Sequence, residues 1–302
     1  SLLAGVTLIR DAGDIHGINT TIRAELEQTN GLAPNLQIAG IAIRKTGRYG
    51  SFMAREVNDA ESLLQAIRSL ASNVDHLKIL MTGIIDFKLG KVKGSPQFTL
   101  EEAGLIVKTA RELDLPTFAH CSGLKGIQTA VEAGIDSIEH GFFINRQVLQ
   151  KMADKQIAWV PTFSPVDFQW ARPELAGWDA ETVQKLRNIL DSHNEHLLMA
   201  EELGVPLVAG SDAGSYGVEH GMALIDELIF MAQAGLPLQS VLQSATSRPR
   251  KCWGVTSADI QKGTSADLIL LEESPFTSVQ NLKKVQTILK DGFVFNQALA
   301  VY

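Results

Sequence analysis

The chain has 302 residues, 45% hydrophobic and 20% charged, enough apolar material to bury the core of one large domain. A net charge of -7 without a basic stripe argues against nucleic acid as a partner and points to small molecules. Two cysteines, Cys121 and Cys252, exclude a disulfide framework and a cysteine-built zinc site, and no apolar run approaches the roughly 18 to 20 residues of a membrane span.

The chain enters an apolar β-like run at once, Gly5-Val6-Thr7-Leu8-Ile9-Arg10, as if cut into rather than begun. No basic-then-apolar signal segment precedes it, so a soluble cytoplasmic protein is expected, with a homo-oligomer left open. Strands are expected at residues 6–10, 36–43, 76–81, 116–120, 135–139, 157–162 and 205–209, separated by amphipathic helical segments in the βαβ pattern of a parallel sheet. Thr99-Leu100-Glu101-Glu102 is a capping box, Asn145 is a cap, and Val183, Leu186, Leu190 and Leu197 mark one face of a helix over 181–203. Gly134, Gly204 and Gly235 read as helix stops. After Gly263 the rhythm changes to short strands at 266–271, 285–289 and 293–295 with an Asp291-Gly292 turn. The expected division is a barrel over 1–262 and a small β segment over 263–302.

Polar residues that close parallel strands carry the chemistry in a βα barrel. Lys78 lies in HLKIL, a strand buried on both faces; burial can leave its amine neutral and able to take up carbon dioxide as a carbamate. Alone it reads as a lysine snorkelling from a strand end. His120 in PTFAH and His140 in SIEH close successive strands and are candidate metal ligands. Asp212 in GSDAG, flanked by small residues, is a candidate ligand and proton carrier, with an Asx turn as the competing account. His193 and His196 read as helix residues. His220, Tyr49, Arg48 and Tyr216 are candidate substrate contacts. A barrel that uses Lys78 as a Schiff-base nucleophile would leave the two histidines without a purpose.

Together the Lys78 strand, PTFAHCSGLKGIQTAVEAGIDSIEHG over 116–141, WVPTF over 159–163, GSDAG over 210–214, and Gly263 with Ala266-Asp267-Leu268-Ile269 resemble the amidohydrolase superfamily, in its imidazolonepropionase-like and prolidase branch. The resemblance implies an α/β fold, a (β/α)8 TIM-type barrel with a small β sandwich, and hydrolysis of an amide, peptide or cyclic C–N bond. It further implies divalent metal, usually two zinc ions, bridged by carboxylated Lys78, with His120 and His140 on one ion and Asp212 near the other as proton shuttle. Dipeptides and N-acyl amino acids are the expected substrates. Two departures stand out. No His-x-His pair is present, and Gly47-Arg48-Tyr49-Gly50 replaces the Gly-Gly-His-Gly common in that branch. The barrel is therefore expected to be incomplete at its N-terminal side, with a gap between 6–10 and 205–209. At most one well-held metal and little activity are expected of the polypeptide as it stands; an inactive, noncatalytic barrel is the alternative.

Overall fold

The computed structural model describes residues 1–29, 33–257 and 259–296. Its centre is a six-stranded parallel sheet. In spatial order the strands are Ala158–Val160, Ser137–His140, Thr117–Cys121, Leu77–Leu80, Ala42–Lys45 and Ala54–Val57. Leu77–Leu80 is buried along its whole length, as a parallel strand covered on both faces requires. Register then brings chemistry to one end of the sheet. Leu80 pairs with His120, and Cys121 pairs with His140, so both histidines lie where their strands finish.

The helices between these strands start where their caps dictate. Leu100–Glu112 is entered through a complete capping box between Thr99 and Glu102, and Asn145 accepts from the Val148 amide at the head of Arg146–Lys155. Each such cap stabilises its helix by about 1 kcal/mol. Ala180–Leu203 buries Leu186, Ile189, Leu190, His193 and Leu197, which places His193 in the core.

The strand expected over 36–43 is two elements. Asn35–Gln37 pairs with Leu8–Arg10 in a separate parallel ladder, while Ala42–Lys45 joins the main sheet. The cause is a turn toward Asp75, whose carboxylate accepts from the Ile38 amide at 2.8 Å and whose own amide donates to Ile38 O at 2.9 Å. Gly40 makes the turn at φ 62; a Cβ there would lie 2.7 Å from Val74 Cγ1.

On the other side, the 205–209 segment touches the sheet through a single bridge, Leu207 to Trp159. Among the described residues no ladder joins it to Leu8–Arg10. A cavity of about 500 Å3, lined by Val6, Leu8, Ala209, Leu228, Leu242 and Trp253 among others, lies between them, where the gap was expected.

Leu268–Leu271, Val285–Lys290 and Phe293–Asn296 form an antiparallel sheet. Its hairpin turns on Asp291 (φ 50) and Gly292 (φ 83), the left-handed pair that such two-residue loops need. Val285 and Ile288 pack on Leu2, and Arg250 pairs with buried Asp267 at 2.8 Å, tying this sheet to the helical layer. No helix among the described residues is long and apolar enough to cross a membrane.

Candidate active site

Lys78, His120, His140, Asp212 and Tyr49 line one cavity of about 530 Å3 at the C-terminal ends of the parallel strands. Lys78 is 4% exposed, and its Nζ lies 4.5 Å from the centre of the Phe118 ring, the residue opposite it in register. Burial pushes its amine down to about 8, opposed by the Glu139 carboxylate and assisted by the Arg10 guanidinium. A readily deprotonated amine is what carbamate chemistry needs.

The rings of His120 and His140 meet edge to face with centroids 4.6 Å apart. Burial drives both toward the neutral form, and each is further held down by Lys78; for His140 the value falls to about 3. Both are therefore lone-pair donors at neutral pH. Which nitrogen is free follows from their partners. Gly83 O, at 3.4 Å, can only accept, so His120 carries its proton on Nε2 and offers Nδ1. His140 Nδ1 lies 2.7 Å from Thr162 Oγ1, and that hydroxyl also lies 2.8 Å from Pro161 O, to which it donates. Its single proton spent, Thr162 accepts from His140 Nδ1–H and leaves the Nε2 lone pair for the cavity.

Asp212 is exposed at the rim, and Ser215 Oγ donates to its carboxylate at 2.7 Å. Backbone strain gathers here. His140 (φ 70), Thr162 (φ 53) and Asp212 (φ 52) are three of seven non-glycine residues with left-handed φ among the described residues, a concentration typical of functional sites. Gly141 follows His140 because a Cβ there would meet Trp159 Nε1 at 2.3 Å; that nitrogen donates to His140 O at 2.9 Å.

The four candidate substrate contacts separate. Tyr49 lies 5.3 Å from the His120 ring, its phenol pushed up to about 12 by burial and by the Asp212 charge. Arg48 is turned away, its guanidinium donating to Ser95 O. Tyr216 is 60% exposed and reaches Leu175 O, and His220 stands at the rim beside Gly214. His193 stacks on Phe142 in the core and donates to Pro161 O at 3.0 Å.

Several site residues escaped the sequence reading. Asp11 lines the cavity and accepts from Gly13 N and Asn19 Nδ2, with burial raising its carboxyl. Arg10 and Glu139 form a buried pair at 2.9 Å, and Arg10 lies between the rings of Phe118 and Trp253, 4.3 Å from each. Their signal was a charge within an otherwise apolar strand pattern, the one that singled out Lys78.

Does this donor set fit a metal? Among the described residues no three His, Cys, Asp or Glu side chains come close enough to hold an ion by themselves. Two neutral imidazoles with free lone pairs beside a lysine of lowered pKa do fit one divalent ion, once Lys78 counts as a carbamate.

The chain matches the Amidohydrolase family over residues 1–294. It is 24% identical to the ochratoxinase of Aspergillus niger over 315 residues, spanning 93% of this chain and 64% of that enzyme's length. An uncharacterized protein of Mycobacterium tuberculosis is 27% identical, over 96% of this chain and 75% of its own. A Xaa-Pro dipeptidase crystallised with methionine in its active site superposes with a TM-score of 0.83 at 25% identity, covering 97% of this chain and 76% of that one. The ochratoxinase crystal structure superposes at 0.82 with 22% identity, covering 99% and 74%. The parallel α/β architecture is thus that of the amidohydrolase TIM barrels, and the chain belongs to the Amidohydrolase family.

Proposed function

We propose that this chain carries the site of a metal-dependent hydrolase acting on an amide, peptide or cyclic C–N bond of a small molecule, a dipeptide or N-acyl amino acid first among them. The observation that carries the reading is the convergence of Lys78, His120, His140 and Asp212 on one cavity. His120 Nδ1, His140 Nε2 and carboxylated Lys78 would hold one divalent ion, zinc by its preference for imidazole, which supplies Lewis acidity to the scissile carbonyl and to water. Asp212, oriented by Ser215, takes a proton from the attacking water and delivers it to the leaving nitrogen. Tyr49, Phe52, Phe87 and Phe142 give the cavity an aromatic wall that suits an aromatic acyl group or side chain and keeps bulk water from the reacting carbonyl. The likeness to a Xaa-Pro dipeptidase supports a dipeptide as substrate.

A second reading, a noncatalytic barrel, rests on the thin donor set among the described residues. One experiment separates the two. A panel of dipeptides and N-acyl amino acids is incubated with the zinc-supplemented protein and with Lys78→Ala, His140→Ala and Asp212→Asn. Hydrolysis by the parent protein that each substitution abolishes supports the first reading, and no turnover of any substrate supports the second. Cytoplasmic location is part of the same proposal.

A further inference from the structure

Glu227 is fully buried in the helix Met222–Gln233, and its carboxylate is aimed at the chain just beyond Thr162. Its Oε1 accepts from Phe163 N at 2.6 Å; its Oε2 accepts from Ser164 N at 3.0 Å and from Ser164 Oγ at 2.8 Å. Those amides open the helix Ser164–Ala171, whose own N-cap position supplies no side-chain acceptor. A carboxyl group from a distant helix therefore caps it through hydrogen bonds, pushed up to about 8 by burial and drawn down by those same bonds to Phe163 and Ser164.

What precedes that helix start explains why so costly a group is placed there. Thr162 is β-branched yet holds φ 53, a conformation that persists only when its neighbours over-determine it. On one side His193 donates to Pro161 O, and on the other Glu227 fixes Phe163 and Ser164. Between these two anchors stands the hydroxyl that accepts from His140 Nδ1–H and so decides which nitrogen of His140 faces the cavity.

We infer that Glu227 is a positioning residue for His140, acting through Phe163, Ser164 and the Thr162 hydroxyl. The inference rests on the reading of His140 as a metal ligand. Glu227 touches neither the cavity nor the reacting atoms; its effect is to hold one tautomer and one ring orientation.

The test uses metal-free protein labelled with 15N in its histidines, followed by titration with Co2+. In the parent protein His140 shows a protonated Nδ1 and a bare Nε2. Glu227→Gln places an amide nitrogen against one of two backbone donors, so the turn relaxes. His140 is then expected to shift to a mixture of tautomers, with Co2+ binding weakened about tenfold, as when a group supporting a ligand is lost. Thr162→Val should produce the same two changes, and the double variant should add little to either. Should Glu227→Gln fail to fold, Ser164→Ala, which removes one of the three bonds to the carboxylate, is expected to shift His140 in the same direction by less. A lowered melting temperature with unchanged His140 signals and unchanged Co2+ affinity, in whichever of these variants folds, would overturn the inference and leave Glu227 a helix cap. If the parent protein binds no Co2+, the metal reading fails while the His140 tautomer still decides the role of Glu227.

Discussion

Arg10 and Glu139 meet at 2.9 Å in the barrel interior, with Ser137 Oγ bonded to both and Phe118 and Trp253 closing over the guanidinium. The pair joins the outlying Leu8–Arg10 ladder to the strand that carries His140, and its charges are felt at Lys78. Arg10→Met leaves Glu139 buried and unpaired, so unfolding in urea should show a loss of about 3 to 5 kcal/mol. Adding Glu139→Leu should recover most of it. Equal, additive losses in the two single variants and the double would mean the residues do not act as a pair.

Lys78, pushed down to about 8, should react with carbon dioxide near neutral pH. Protein equilibrated with 13C-bicarbonate is expected to show one carbamate carbon signal that is absent in Lys78→Ala. Amide hydrolysis in that variant should fall roughly a thousandfold, the several kcal/mol that a positioned metal supplies.

Acid should destabilise the fold through its buried histidines. His193 is held at about 3 by burial, below the 6.5 of an unfolded histidine. A depressed pKa means the folded state prefers the neutral ring. That contribution is fully present above 6.5 and is lost as pH falls toward 3. Between about pH 7 and pH 5 the loss at His193 alone is about 2 kcal/mol. His140 and His76, each also held at about 3, add to it in the same sense. Melting temperatures measured across this range should fall steadily as pH drops; a flat profile would show that these rings are protonated in the fold.

Tyr49 and Arg48 are neighbours in sequence with opposite orientations. Tyr49→Ala should raise KM for substrates with an aromatic group about tenfold, in line with the loss of an aromatic contact. Arg48→Ala, whose guanidinium serves Ser95, should change KM less than about twofold. The reverse pattern in steady-state kinetics would place the substrate on the other side of the Tyr49 loop.

The residues legible in the sequence were those whose chemistry is at odds with their surroundings. Lys78 in a buried strand and histidines closing two others stand out because parallel strands are otherwise apolar, and ladder register then brings them together. Arg10 and Glu139 break the same pattern but satisfy each other, which no spacing reveals across 129 residues. Thr162 and Glu227 were hidden because their roles lie in a left-handed turn and a long-range hydrogen bond. Arg48 and Tyr216 sit in loops, where the direction of a side chain is set by partners such as Ser95 and Leu175 rather than by strand alternation. Gly40 and Asp75 broke one expected strand into two for the same reason.

In the proposed site His120 and His140 ligate one divalent ion beside carboxylated Lys78. X-ray absorption at the zinc edge, on protein loaded with one equivalent of Zn2+, reads these ligands. Two imidazole nitrogens with oxygen donors at about 2.0 to 2.2 Å are expected, with one imidazole lost in His120→Ala and one in His140→Ala. Failure to retain the ion, or a spectrum that neither substitution alters, would contradict this ligation.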